Sequence, residues 1–259
     1  MSGRSVSRYA YVHARIRGRI AAMPGKNGWQ QILNASDLET AIETMSAAGL
    51  QYWVADFPRR PAPAEIERRC LISLLGIALF VTRYLPRHWE NTAQWLLDLP
   101  HLLQLRTVLS ANADKDLLLP GSPFHDIILQ PRPQRRKLLT DSRYGSYLDD
   151  THPPESCWAQ RFASTLPVVQ GQEAQVIKHL VQVLSEHFRG IKPGMSAEQV
   201  WVQRRVLAAR LRLLLAGDPF HGGILLIYAL LECIQFERIR AILLLRAYQW
   251  PQKMLGGLL

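Results

Sequence analysis

Side chains able to act as nucleophile, base or metal ligand are sparse in this 259-residue chain and poorly grouped. The eight histidines are scattered. His179 and His187 lie eight apart on one expected helix, too far to share a metal without a third contributor. Pro123-Phe124-His125 returns as Pro219-Phe220-His221, with Asp126 beside the first histidine and Asp218 just before the second motif. A histidine next to a carboxylate has the makings of a base. A helix-start turn, capped by Ser122 or Asp218 with the aromatic ring tucked into the core, accounts for the same residues more simply. The sequence contains no GxxxxGK[ST] phosphate cradle, no GxGxxG, no GxSxG elbow and no HExxH helix. No catalytic, cofactor or metal residues are therefore assigned. Cys70, Cys157 and Cys233 are odd in number, far apart and outside any CxxC, which leads to an expectation of unbridged thiols in a reducing cytoplasm.

The elements that would position such residues are helical. Leu38, Ala41, Ile42 and Met45 follow the i, i+3, i+4, i+7 spacing of one buried face, after Ser36-Asp37-Leu38-Glu39, in which Ser36 is expected to cap. Ser196-Ala-Glu-Gln199 is a second capping box, opening a helix with Val200, Leu207, Leu211 and Leu214 inward. Between them Ile177, Leu180, Val181, Leu184 and Phe188 form another stripe, ending near Gly190. Long helices are expected over 63–84 and 89–111. Ile224–Leu231 is eight consecutive apolar residues, and Cys233, Ile234, Phe236, Ile239 and Ile242–Leu245 continue it, so this helix belongs at the middle of a bundle or at an interface. Alternating runs with hairpin chemistry are missing, and the fold class is all-α.

Met23–Gly49 is echoed ungapped at Leu119–Gly145, 96 positions on. Pro24/Pro120, Gly25/Gly121, Ile32/Ile128, Leu33/Leu129, Thr44/Thr140, Ser46/Ser142 and Gly49/Gly145 are identical, where ordinary residue usage gives roughly two matches. Repeats of a supersecondary unit build shape rather than chemistry. Prolines 120, 123, 131, 133, 153 and 154 crowd one stretch with Arg132, Arg135, Arg136 and Lys137, which reads as a join with a solvated basic surface. The expected division is an N-terminal helical repeat region over 1–118, a connecting region over 119–156 and a C-terminal helical region over 157–259.

The 31 basic and 21 acidic residues leave a net charge of +10, which favours an acidic partner: nucleic acid, an anionic membrane surface or an acidic protein face. Arginine alternates with aliphatics in Ala14-Arg15-Ile16-Arg17 and Ala209-Arg210-Leu211-Arg212, faces that phosphates could contact. Helix-turn-helix spacing, zinc knuckles and RNP-like strands are lacking. The Arg-rich start would also suit a transit peptide. The longest charge-free apolar run near the middle, Cys70–Thr82, has 13 residues against the roughly 20 a membrane helix needs.

Three segments, in order, resemble the family of the C-type central-stalk component of the V/A-type rotary ATPases, the d-type component of the eukaryotic vacuolar enzyme. Tyr9-Ala-Tyr11-Val-His-Ala14-Arg15-Ile-Arg17 is similar to that family's first-helix pattern of tyrosines followed by Ala-Arg-x-Arg, and Leu33, Ser36, Leu38, Leu50 and Tyr52 fit its continuation. Leu97-Asp98-Leu-Pro-His-Leu-Leu-Gln-Leu105-Arg106-Thr-Val-Leu109, then Leu119-Pro120-Gly121, resembles the second signature. Tyr228-Ala-Leu-Leu-Glu232 with Glu237-Arg-Ile-Arg240-Ala-Ile-Leu resembles the third. The chain is shorter than typical members. The asparagine usual before the second and third arginines is missing, with Gln104 or Leu105 and Arg238 in its place, and Gln235 stands where an acid is frequent.

The resemblance implies a non-catalytic, funnel-like bundle of repeated helical units on the cytoplasmic face of a membrane proteolipid ring. Its socket would receive the D and F stalk subunits, so that it couples ATP turnover to ion transport. No nucleic acid, cofactor or transmembrane helix of its own belongs to that reading. The interface or inter-repeat residues it points to are Tyr9, Tyr11, Arg15, Arg17, Arg106, Glu232 and Arg240. Glu232, embedded in apolar sequence, is expected to have a cationic neighbour or partial exposure, because an unpaired buried charge is costly. The alternative is a basic all-helical adaptor or nucleic-acid-binding protein.

Overall fold

The computed structural model describes residues 3–110, 114–148, 154–192, 194–217 and 222–250. Among these residues there is no strand, and the chain is all-α as the periodicities require. The helices are α1 (Gly3–Ala22), α2 (Lys26–Asn34), α3 (Leu38–Met45), α4 (Gln51–Val54), α5 (Pro63–Tyr84), α6 (Glu90–Leu109), α7 (His125–Ile128), α8 (Arg132–Thr140), α9 (Pro154–Thr165), α10 (Gly171–Gly190), α11 (Ala197–Ala216) and α12 (Gly223–Ala247). None of them is long and apolar enough to cross a membrane.

Local sequence explains most boundaries. Ser196 Oγ accepts from the Gln199 amide while the Gln199 side chain accepts from the Ser196 amide, the reciprocal box expected at the start of α11. At α3 the cap is Asp37 rather than Ser36: Asp37 Oδ1 accepts the Thr40 amide at 2.8 Å, and Ser36 donates to the Asp37 carboxylate instead. A carboxylate at a helix N-terminus gains from the local dipole as well as the hydrogen bond, so it outcompetes the hydroxyl.

The chain forms two compact units. The first combines Met1–Ser73 with Val169–Leu259, and the second is Leu74–Val168. This grouping is discontinuous, unlike the serial division expected from the Pro- and Arg-rich stretch. That stretch is partly helical. Pro131 and Pro133 flank the first turn of α8, where the missing amide proton costs nothing. Arg135 there is not simply solvated: it donates to the carbonyls of Gln130, Val108 and Ser110, placing a cation on the open carbonyls at the end of α6. Arg132, Arg136 and Lys137 are exposed.

In the first unit α12 is the central element, buried along all of Ile224–Leu231 and again at Phe236, Ile239, Ile242 and Leu243. Its contacts include α3, α10 and α11. In the second unit α6 packs on α9. Trp95 and Trp158 stack there at 3.9 Å, each indole N–H donating to the other's backbone carbonyl at 2.9 and 2.8 Å.

The two echoed windows share local devices. Ile32 and Ile128 are buried. The Thr44 and Thr140 hydroxyls each donate to the carbonyl four residues back, at 2.7 and 2.9 Å. Gly49 and Gly145 both lack room for a side chain: an added Cβ would lie 2.0 Å from the Ala22 oxygen and 2.1 Å from the Thr140 oxygen. Leu33 is buried whereas Leu129 is exposed, so the windows share a turn-and-helix plan and not one packing.

The packing of α10 and α11 gives a pH-dependent result. Burial, and secondarily the Arg204 cation, lower the His187 pKa from 6.5 to about 4. The unfolded chain then binds a proton before the folded one does. Stability from this site is complete above about pH 6.5 and is lost as the pH falls towards 4. Urea titrations across that window should show a decline that His187→Gln flattens. An unchanged slope in that variant would remove His187 as the cause.

Candidate functional site

The arginine-rich signatures point to α1 and α12, and in the first unit a chain of buried polar contacts runs between these two helices. Tyr228, Glu232, Phe236 and Ile239 fall at i, i+4, i+8 and i+11 on α12, so one inward face carries a phenol, a carboxylate and two apolar residues. Arg19 of α1 donates to the Tyr228 hydroxyl at 2.9 Å. Tyr228 in turn hydrogen-bonds to Glu232. The Trp53 indole N–H of α4 donates to the same carboxylate at 3.2 Å, while its ring lies against Phe236. The Arg19 guanidinium also lies over the Tyr52 ring, 4.6 Å from its centre.

Glu232 is only 3% exposed. Burial pushes its carboxyl pKa up. The hydrogen bonds from Tyr228 and Trp53 and the Arg19 charge pull the other way without cancelling that rise. The expected cationic neighbour exists, but it acts through a phenol. Tyr228 itself is held far above the ordinary tyrosine range by burial, next to the Glu232 charge. Its hydroxyl thus stays protonated and bridges the Arg19 cation to the Glu232 carboxyl group.

Further arginines tie α12 to its surroundings. Arg240 makes a bidentate pair with Glu67 of α5. Arg246 donates to the Leu33 carbonyl near the end of α2 at 2.6 Å. Arg204 of α11 pairs with Glu237 at 2.7 Å. Arg238 stacks on Trp29 of α2 with 3.8 Å to the ring centre.

The residues singled out from sequence separate into groups. Glu232 and Arg240 belong to this set of ties. Arg15 and Arg17 are exposed, donating to the Tyr11 hydroxyl and the His13 ring one turn back at 3.2 Å each, and Tyr11 is exposed too. The side chains of Tyr9 and Arg106 lie outside the described residues. Sequence reasoning passed over Arg19, Trp53 and Arg246. Arg19 was visible in the N-terminal arginine run, but nothing in the pattern separated it from Arg15 and Arg17.

The second unit repeats the theme inside the second signature. Asp98 is buried and accepts from Gln94 at 3.0 Å, from the Tyr147 hydroxyl at 3.1 Å and from Arg143 at 3.2 Å. Burial, then the Asp98 charge, pushes the Tyr147 pKa up to about 12. Both buried carboxylates are therefore held by more than one donor, including donors from outside their own helix, which suits holding helices together.

The first Pro-Phe-His motif is a turn. Ser122 Oγ accepts the Phe124 amide, Phe124 is fully buried, and the His125 ring contacts the Leu119 carbonyl at 3.1 Å. Asp218, Pro219, Phe220 and His221 lie outside the described residues. Among the described residues no group of three or more His, Cys, Asp or Glu side chains could hold a metal, and there is no disulfide. Cys70 is buried, which pushes its thiol up to about 12 and leaves it a poor nucleophile. An open cleft beside α3 and the end of α12 carries Asp37, Glu39 and Glu43 facing Arg60 and Trp250. Asp37 there is a helix cap, and Glu39 pairs with Arg59 and Arg60. No protein-family model, no curated protein and no solved structure matches the chain.

Proposed function

We propose that this protein is a non-catalytic coupling component of a V/A-type rotary ATPase, linking the rotating D and F stalk to the membrane proteolipid ring from the cytoplasmic side. The observation that carries the reading is the Arg19–Tyr228–Glu232–Trp53 chain. It joins the helix bearing the first signature to the helix bearing the third, 209 residues apart in sequence between Arg19 and Tyr228. Torque transmission asks for a stiff body and no bond making. Side-chain ties from α12 to α1, α2, α4 and α5 stiffen a packed bundle by linking helices that otherwise slide past one another. The hydrogen-bonded buried carboxylates and the unreactive buried thiol agree with that division of labour.

The test is a membrane preparation from cells lacking the chain. ATP-driven ion transport is expected to be lost while ATP hydrolysis by the soluble head persists, and the full-length protein added back should co-purify with stalk and proteolipid subunits in high salt. Transport at wild-type rates without the chain would overturn the assignment.

A further inference from the structure

The arginines of α11 and α12 are not all accounted for by internal partners. Arg204, Arg210 and Arg240 pair with Glu237, Glu186 and Glu67, and Arg246 holds a carbonyl. Arg205, Arg212 and Arg238 have no acidic partner among the described residues. Arg238 is half-buried on the Trp29 ring, and its buried Nε has no acceptor. The charges of Arg205 and Arg212 reach it and, after burial, lower its pKa to about 10. Three cations brought within electrostatic reach repel one another, and an anion relieves them.

Beside this cluster α11 is apolar on its outer face. Val202, Val206, Ala209 and Leu213 are exposed, Leu213 by 76%. Their spacing of 4, 3 and 4 is the 3.5-residue period of a helix–helix seam. Arg205 and Arg212, seven apart, lie along the edge of that seam, in the position where flanking charges choose a partner. The inner face of the same helix is separately filled by Trp201, Leu207, Leu211 and Leu215.

We infer that the outer face of α11 docks an amphipathic helix of another protein, one with an apolar seam flanked by Asp or Glu side chains that reach the Arg205–Arg212–Arg238 cluster. The seam is narrow and built from Val, Ala and Leu. It lacks the Trp, Phe and Lys that mark a helix lying in a lipid surface, so a protein helix fits better than a membrane. The inference stands apart from the rotary assignment, because it uses only the first unit's own surface.

The test uses the full-length protein and a labelled peptide of about three heptads with Leu at the a and d positions and Glu at e and g, against its Lys-for-Glu isomer. Saturable binding of the Glu peptide and none of the Lys isomer is expected. Arg205→Ala with Arg212→Ala should weaken binding about tenfold or more, and Leu213→Asp, an exposed change checked by circular dichroism, should do likewise. Arg59→Ala, at an exposed arginine whose partner is Glu39 of α3 and not a residue of α11 or α12, should leave it unchanged. Absence of saturable binding, equal binding of both isomers, or indifference to Leu213→Asp would overturn the inference. So would tighter, arginine-dependent binding of phosphatidylserine vesicles or of duplex DNA.

Discussion

Gly49→Ala is expected to prevent the first unit from folding, or to lower its stability by at least about 4 kcal/mol. Two effects add at this residue. Its φ of 94° lies where a side chain is strained, and a Cβ would sit 2.0 Å from the Ala22 carbonyl oxygen. That oxygen belongs to the last turn of α1 and is backbone, so it cannot swing aside as a flexible side chain would. The turn after α3 could then be relieved only by pulling α1 away, with Val12 and Ile16 leaving the core. Gly121→Ala separates the two effects. Its φ is 71°, but nothing lies within 4 Å of an added Cβ, so it should cost about 1 kcal/mol. Urea denaturation followed by circular dichroism measures both. Similar losses for the two variants would mean that the contact with α1 is not what constrains Gly49.

Tyr228→Phe removes one oxygen and should lower stability by about 2–4 kcal/mol at neutral pH. The hydroxyl accepts from Arg19 and hydrogen-bonds to Glu232, so its loss leaves one guanidinium contact and one side of a buried carboxylate without a partner. The effect should depend on pH, with a definite sign. The folded-state pKa of Glu232 is raised by burial, so its contribution is most favourable below the ordinary carboxylate pKa of 4.5 and is lost as the pH rises through the folded value. Taking away a stabilising hydrogen bond raises that value further. The variant should therefore be nearer to wild type at a pH below the folded value than above it, and Glu232→Gln should remove the difference. A larger loss in acid than at pH 7 would contradict this account of the carboxylate.

The sequence made α12 legible because eight consecutive apolar residues leave no polar face to put outside, and all of Ile224–Leu231 is buried. The Ser196–Gln199 box was legible because both halves lie within one turn. At α3 the same logic chose Ser36, since hydroxyl and carboxylate are adjacent and spacing alone does not rank them; charge did. Glu232 could be picked out as a carboxylate requiring help, but not Arg19 as its source. Arg15, Arg17 and Arg19 share a composition, and helical phase alone sends one inward only after the partner helix is known. The discontinuous unit was hidden for a related reason. Proline density marks the first turn of α8 as readily as it marks a linker, and contacts across 200 residues leave no periodicity to read.

The discontinuity of the first unit sets an order of events during synthesis. Residues 74–168 of the second unit have all been polymerised before α10 is begun, so that unit can close ahead of the first, whose last helix is α12. The amino-terminal helices have no such freedom. Arg19, Trp53 and Glu67 meet their counterparts only once Tyr228, Glu232 and Arg240 have been polymerised. Nascent α1 to α4 are thereby left to chaperones, or to transient collapse, for most of the elongation time.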